Sequence, residues 1–232
     1  MSREVIGSYI HRLADANHIT STALAQLLDL DRRYRRGDDD PTGWTTSTIT
    51  GLATLTSRPV VVLARALPAL RSLDPGSGGT APTGPTTPCI ACHHCTARKG
   101  IRGLVIQRAA SHENICLRHR RWLHGPEQHS LHTLPELCNA NRRHRRLRRQ
   151  HDATILNAAL TRARDLVHDW LEADDQPDLQ HRWTHRLTQL RCDPGADPYR
   201  PSRHRVELAT YPEMVLLAEL FASESSKHSS HR

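Results

Sequence analysis

Two short pairs of metal-binding residue types constrain this chain more than any other feature. Cys92 and Cys95 form C-x2-C, twenty residues follow, and Cys116 and His119 form C-x2-H. Pairs spaced by two residues can close around one tetrahedral ion, and three thiolates with one imidazole favour zinc over magnesium or calcium. Four protein ligands fill the coordination shell, so the expected zinc is structural rather than catalytic. A folded zinc module around these residues follows. It would supply stability that the apolar content, 37% with one Phe, provides only thinly.

The ligand set has competitors. Cys89, Cys92 and Cys95 together read C-x2-C-x2-C, so Cys89 can replace Cys95 as the partner of Cys92. Cys95 is the preferred ligand because Cys89 closes a Pro-rich stretch. His112 is a further substitute ligand. His93 and His94 lie inside the knuckle and are expected to be exposed. Cys138 and Cys192 have no partner at short spacing and read as small buried hydrophobes.

The net charge is +8, and it is concentrated. Residues 98–149 hold 13 Arg or Lys against Glu113, Glu127 and Glu136, a local +10. Arg dominates, since Lys occurs only at 99 and 227. The guanidinium fork matches phosphate oxygens, which makes DNA the leading partner. Arg142, Arg143, Arg145, Arg146, Arg148 and Arg149 fall within the run RRHRRLRR. On a helix they would put positive charge around most of the circumference, with Leu147 as the one strong apolar anchor. Their expected role is phosphate contact, which supplies affinity rather than sequence choice. The alternative is a solvated face paired with acids such as Asp38 to Asp40 or Glu172 to Asp175. Arg118, Arg120 and Arg121, flanking His119, would add a basic rim to the zinc module.

The spacing predicts a mainly α fold in several parts. Residues 1–74 carry apolar residues at helical intervals: Val5, Ile6, Tyr9, Ile10 and Leu13; then Leu24, Leu27 and Leu28 behind a cap at Thr20 or Ser21; then Ile49, Leu52 and Leu55 behind Thr45 to Ser47. A fourth helix starts at Ser57, ahead of Pro59, and carries Val60, Leu63, Ala64 and Leu67. Short helices with tight turns suit a helix-turn-helix-like domain. Residues 75–88 read as a Pro/Gly/Thr linker, and 89–125 as the zinc module, with Leu104 to Gln107 as a short β-prone connection. An Arg-rich helical domain spans 126–222, with Pro135 in the first turn of one helix and Asp152 capping the next. Ile155, Leu156, Ala159, Leu160, Ala163, Leu166, Val167 and Trp170 form a stripe of helical period. Leu179, Trp183, Leu187 and Leu190 form another, and a last helix covers Pro212 to Ala222. Residues 223–232 read as a disordered tail.

Catalytic patterns are missing from the sequence. There is no Gly-rich phosphate loop, nucleophile elbow or tight acidic cluster, and Asp38 to Asp40 read as a loop acid run. His181 and His185 stand one helical turn apart without a supporting Glu nearby in sequence, and structural roles are favoured for them. A non-enzyme is expected. No apolar run approaches the roughly 18 residues of a membrane span, and no signal peptide is visible. Cytoplasmic placement is therefore expected, with no membrane partner.

With these residues in view, the chain resembles the TniQ family over about residues 4–125. SYIHRLADANHI (Ser8 to Ile19) is similar to that family's opening Ser-aromatic-x-x-Arg-Leu-Ala-x-x-Asn signature. ITGLATLTSRPVVVLARALP (Ile49 to Pro68) is similar to its next stretch, and C-x2-C with CLRHRRWL (Cys116 to Leu123) to its paired knuckles. His93 stands where the family usually has Pro after the first Cys. From 126 onward the chain resembles the helical extension of short actinobacterial-type members. The resemblance implies a non-catalytic adaptor with helix-turn-helix and zinc-ribbon-type modules. Such an adaptor links target DNA to the transposition machinery, notably an AAA+ ATPase, or serves as a DNA-binding regulator.

Overall fold

The computed structural model describes residues 3–30, 33–73, 86–125, 128–173, 175–190 and 201–229, with side chains up to 225. The fold is mainly α with little sheet. The chain divides into two compact units, Met1–Ser111 and His112–Arg232.

In the first unit, α1 (Ile6–Ala16), α2 (Ser21–Leu27), α3 (Thr46–Thr56) and α4 (Val60–Ala66) surround a core of Ile6, Ile10, Leu24, Leu28, Ile49, Leu52, Leu63 and Leu67. A 3-10 turn, Pro68–Leu73, adds Leu70 to it. Side-chain caps act where the sequence places them: Thr20 Oγ1 accepts from Ala23 N–H, and Thr45 Oγ1 from Thr48 N–H. The start of α4 differs. Pro59 is its cap residue, while Ser57 closes α3 in the left-handed region at φ 51°. Leu27 and Leu55, expected on packed faces, are exposed. Leu28 and Leu52 are the residues of these faces that enter that core.

The start of α1 explains two sequence features. Its first residues have no side-chain cap of their own. Instead Ile6 N–H donates to Asp39 Oδ1 (3.2 Å) and Gly7 N–H to the Asp38 carbonyl (2.7 Å). The acid run thus satisfies orphan donors at a helix N-terminus, where its charge is also favoured. Gly7 is required there, because a Cβ would stand 1.8 Å from the Arg35 carbonyl oxygen. The signature residues of α1 are structural too. Ser8 Oγ donates to the fully buried Glu4 (3.1 Å) and accepts from Ile106 N–H (2.9 Å). Arg12 makes two hydrogen bonds to the Glu4 carboxylate, and Asn17 closes the helix by donating to the Leu13 carbonyl.

Strand β1 (Thr86–Ile90) pairs antiparallel with β2 (Ile106–Ala110) in the register Thr86 to Ala110 through Ile90 to Ile106. The strand begins inside residues 75–88, so the expected linker ends earlier. Residues 75–85 lie outside the described residues. Pro88 is tolerated because β1 has β2 as its one neighbour. Val5 N–H bonds the Ile106 carbonyl and Arg108 N–H the Arg3 carbonyl. These bonds join residues 86–110 to the N-terminal helices, so they do not stand apart in a separate 89–125 module.

In the second unit, β3 (Ile115–Cys116) pairs with β4 (Arg121–Trp122), and α6 (Pro135–Gln150), α7 (Ala153–Ala173), α8 (Pro177–Gln189) and α9 (Arg203–Ser229) follow; the short α5 (His93–Ala97) precedes them in the chain. Pro135 opens α6 and Asp152 Oδ1 accepts from Thr154 N–H at the start of α7. The core combines Ile115, Trp122, Leu131 and Leu137 with Leu156, Ala163, Leu208, Tyr211 and Val215. Cys138 is buried as expected; Cys192 lies outside the described residues. The last helix is much longer than the expected 212–222. Pro212 lies inside it, and it continues to Ser229 through residues expected to be a disordered tail. Burial of Arg205, Leu208 and Ala209 ahead of the proline carries the helix past a residue that ordinarily starts or bends one.

Candidate metal centre and basic helix

Cys92 is the residue preceding the first turn of α5, and Cys95 lies within that turn. Three residues of helical advance return the chain to the same side, so both sulfurs face one way. Hydrogen bonds lock the segment: Ala91 N–H to the Val105 carbonyl (2.8 Å), Thr96 N–H to the Cys92 carbonyl (3.0 Å) and Thr96 Oγ1–H to the His93 carbonyl (2.9 Å). Gly100, at φ 71°, turns the chain back toward β2. His93 and His94 are exposed.

Cys116 ends β3, and His119 lies in the tight turn before β4. Arg120 adopts φ 46° there. Buried Ile115, Trp122 and Leu123 anchor both arms of this turn. Leu123 N–H bonds the Asn114 carbonyl and Leu131 N–H the Arg120 carbonyl. Cys116 Sγ stands 3.6 Å from His119 Nδ1. Two donors held at about 2.3 and 2.0 Å from one ion at the tetrahedral angle are about 3.5 Å apart. The observed separation fits one edge of such a tetrahedron.

The ligand atoms of Cys92, Cys95, Cys116 and His119 all lie within 4.8 Å of one another, and this cluster could hold a metal ion. Among the described residues the cluster contains neither Cys89 nor His112. Cys89 sits on β1 opposite Gln107, whose Nε2 approaches its sulfur at 4.0 Å. The ring of His112 packs edge-on against that of His144. His181 and His185 line an open cleft of about 310 Å³ with Glu136, Arg182 and Arg186, and they are outside the metal cluster. Glu136 is itself paired with Arg186 at 3.3 Å.

The Arg run occupies α6, but its helix is not basic all round. Leu137, Cys138, Ala140, Asn141, His144 and Leu147 are buried along it, so His144 anchors the run alongside Leu147. Arg142, Arg146 and Arg149 are exposed at i, i+4 and i+7, one outward strip; Arg143, Arg145 and Arg148 are half-buried beside it. Arg142 donates to Asn139 Oδ1 and Arg145 to the His112 carbonyl. Within the run, Arg143 and Arg146 pair with Glu219 of α9. On the metal-side rim Arg118 and Arg120 are exposed. Arg121 is half-buried and donates to the Gln128 carbonyl at 2.6 Å.

Sequence reasoning missed the polar cluster beneath the Arg run. Asn141 Nδ2 donates to Tyr211 Oη (3.1 Å), and the Tyr211 hydroxyl lies 2.9 Å from His144 Nδ1. Burial raises the Tyr211 pKa, so its hydroxyl keeps its proton and shares one hydrogen bond with His144 Nδ1. His144 Nε2 is buried and has no partner among the described residues. Burial foremost, then the neighbouring His112 and Arg145, lowers the His144 pKa to about 4. The unfolded chain binds this proton at about 6.5, so stability is full above that pH and falls as pH drops toward 4. The expected loss is up to about 3 kcal/mol. Urea unfolding at pH 7 and pH 4.5 should show it as the difference between wild type and His144→Gln, because acid release of a bound metal would act on both. An unchanged pH slope in His144→Gln would refute the assignment.

No protein-family model, curated protein or solved structure matches this chain. Among the described residues no helix is long and apolar enough to cross a membrane.

Proposed function

We propose that this chain is a non-catalytic, zinc-stabilised DNA-binding adaptor of the TniQ kind, linking target DNA to a transposition or regulatory complex. The observation that carries the zinc reading is the Cys92, Cys95, Cys116 and His119 cluster, whose soft, complete donor set suits structural zinc. The DNA reading is supported by the outward strip of Arg142, Arg146 and Arg149, with Arg118 and Arg120 adding exposed charge. Arg143, Arg145, Arg148 and Arg121 flank these sites. Such a surface grips phosphate and leaves sequence choice to other elements, for which the N-terminal helices are the candidates. A protein partner such as an AAA+ ATPase follows from the TniQ resemblance of residues 4–125.

Fluorescence anisotropy with a labelled 30-base-pair duplex tests the DNA role. Affinity should fall steeply between 50 and 200 mM salt, with a logarithmic slope of about 0.9 per phosphate contacted. Changing Arg142, Arg146 and Arg149 together to Gln should reduce that slope by about 2 to 3. Absent or salt-insensitive binding would leave a protein–protein adaptor as the reading.

A further inference from the structure

We propose that Arg143 and Arg146 form a phosphate site whose resident anion is the chain's own Glu219, and that this carboxylate restrains DNA binding. The inference rests on the DNA reading above and concerns how that surface is regulated. Arg143 Nε lies 2.8 Å from Glu219 Oε2, and Arg146 Nη2 3.2 Å from Glu219 Oε1. Each carboxylate oxygen is thus taken by a different guanidinium, one turn apart in register on α6. A phosphate uses two of its oxygens in the same way, so carboxylate and phosphate compete for one fork.

The site is open to such competition. The Glu219 side chain is 27% exposed, and its partners 39% and 53%. An ion pair this accessible contributes about 0–1 kcal/mol to stability, so displacing it costs the fold little. Its effect on a polyanion is larger. Glu219 cancels one positive charge beside Arg142 and Arg149, and two guanidiniums must release it before they meet phosphate. DNA binding would then proceed by exchange, with Glu219 setting a lower affinity than the Arg count alone implies.

The full chain with Glu219→Gln tests this against wild type, using the same duplex and, separately, inorganic pyrophosphate. The variant should bind the duplex about tenfold more tightly, with a salt slope steeper by about 1 to 2. Pyrophosphate affinity should rise as well. Adding Arg143→Gln and Arg146→Gln to the variant should abolish both gains. Equal or weaker binding of both ligands by Glu219→Gln would overturn the proposal. If the wild type and the variant both ignore DNA, the functional reading falls, and the pyrophosphate comparison still decides the anion site. Glu219→Asp, which keeps the charge but shortens the reach, should show a partial gain, and covers the case in which Gln fails to fold.

Discussion

Changing Cys92 and Cys116 together to Ser should abolish metal binding and unfold the segments that carry the ligands. Metal content by mass spectrometry should drop from one zinc per chain to none. The effect is the largest expected for this protein, because structural zinc sites of this kind contribute about 10–16 kcal/mol of apparent binding free energy. The local fold has little to replace it. Helix α5 is five residues long, β3 and β4 are two residues each, and isolated pieces of such length are unstable in water. Trp122, on β4 and buried edge-on against Tyr211, reports on the loss through its near-ultraviolet signal. Single substitutions separate the ligands from their competitor. Cys95→Ser should lose the metal, while Cys89→Ser should retain one equivalent, because Cys89 sits opposite Gln107 on the β1–β2 hairpin. Metal retained by Cys95→Ser and lost by Cys89→Ser would reverse the assignment, and a wild type purified without metal would end the zinc reading.

The metal cluster was legible in the sequence because ligand spacing is a local property. C-x2-C and C-x2-H each specify a short turn, and the turns at 92–95 and 116–119 form as spaced. Helix starts were legible for the same reason: Thr20, Thr45, Pro135 and Asp152 act within a few residues of themselves. What escaped depends on residues far apart. Thr86 to Pro88 look like linker until the register with Arg108 to Ala110 makes them a strand. Pro212 looks like a helix start until packing upstream of it holds the chain helical. The Arg run looks uniformly basic until α9 supplies Glu219 and Tyr211, neither of which carries a signal toward residues 142–149. His144 had one local hint, as an uncharged break in a run of six Arg.

Arg186→Met should destabilise the second unit by about 3–5 kcal/mol, the next largest effect. Its side chain is 8% exposed and that of Glu213 is 9%. Arg186 Nη1 donates to Glu213 Oε2 at 2.6 Å and to the Ala209 carbonyl at 2.7 Å, and Nε reaches Glu136. Trp183 Nε1 donates to the same Glu213 oxygen at 3.2 Å. One carboxylate thus holds two residues of α8 against α9, while Arg186 also reaches α6. Desolvating such a pair offsets much of its attraction, so the pair itself adds little net stability. Removing one member is different, because Glu213 would be left charged and buried. The double change Arg186→Met with Glu213→Leu removes that penalty of about 3–5 kcal/mol at a cost of about 1–3 kcal/mol for the unpaired Trp183 donor, and should be more stable than Arg186→Met alone. Urea unfolding of the four chains in a double-mutant cycle measures the coupling directly. If the double variant is no more stable than Arg186→Met alone, the buried charge is not the source of the loss. Arg186 would then act through its packing and its bond to Ala209, and the α8–α9 contact would rest on Trp183 and Leu190, both of which are buried.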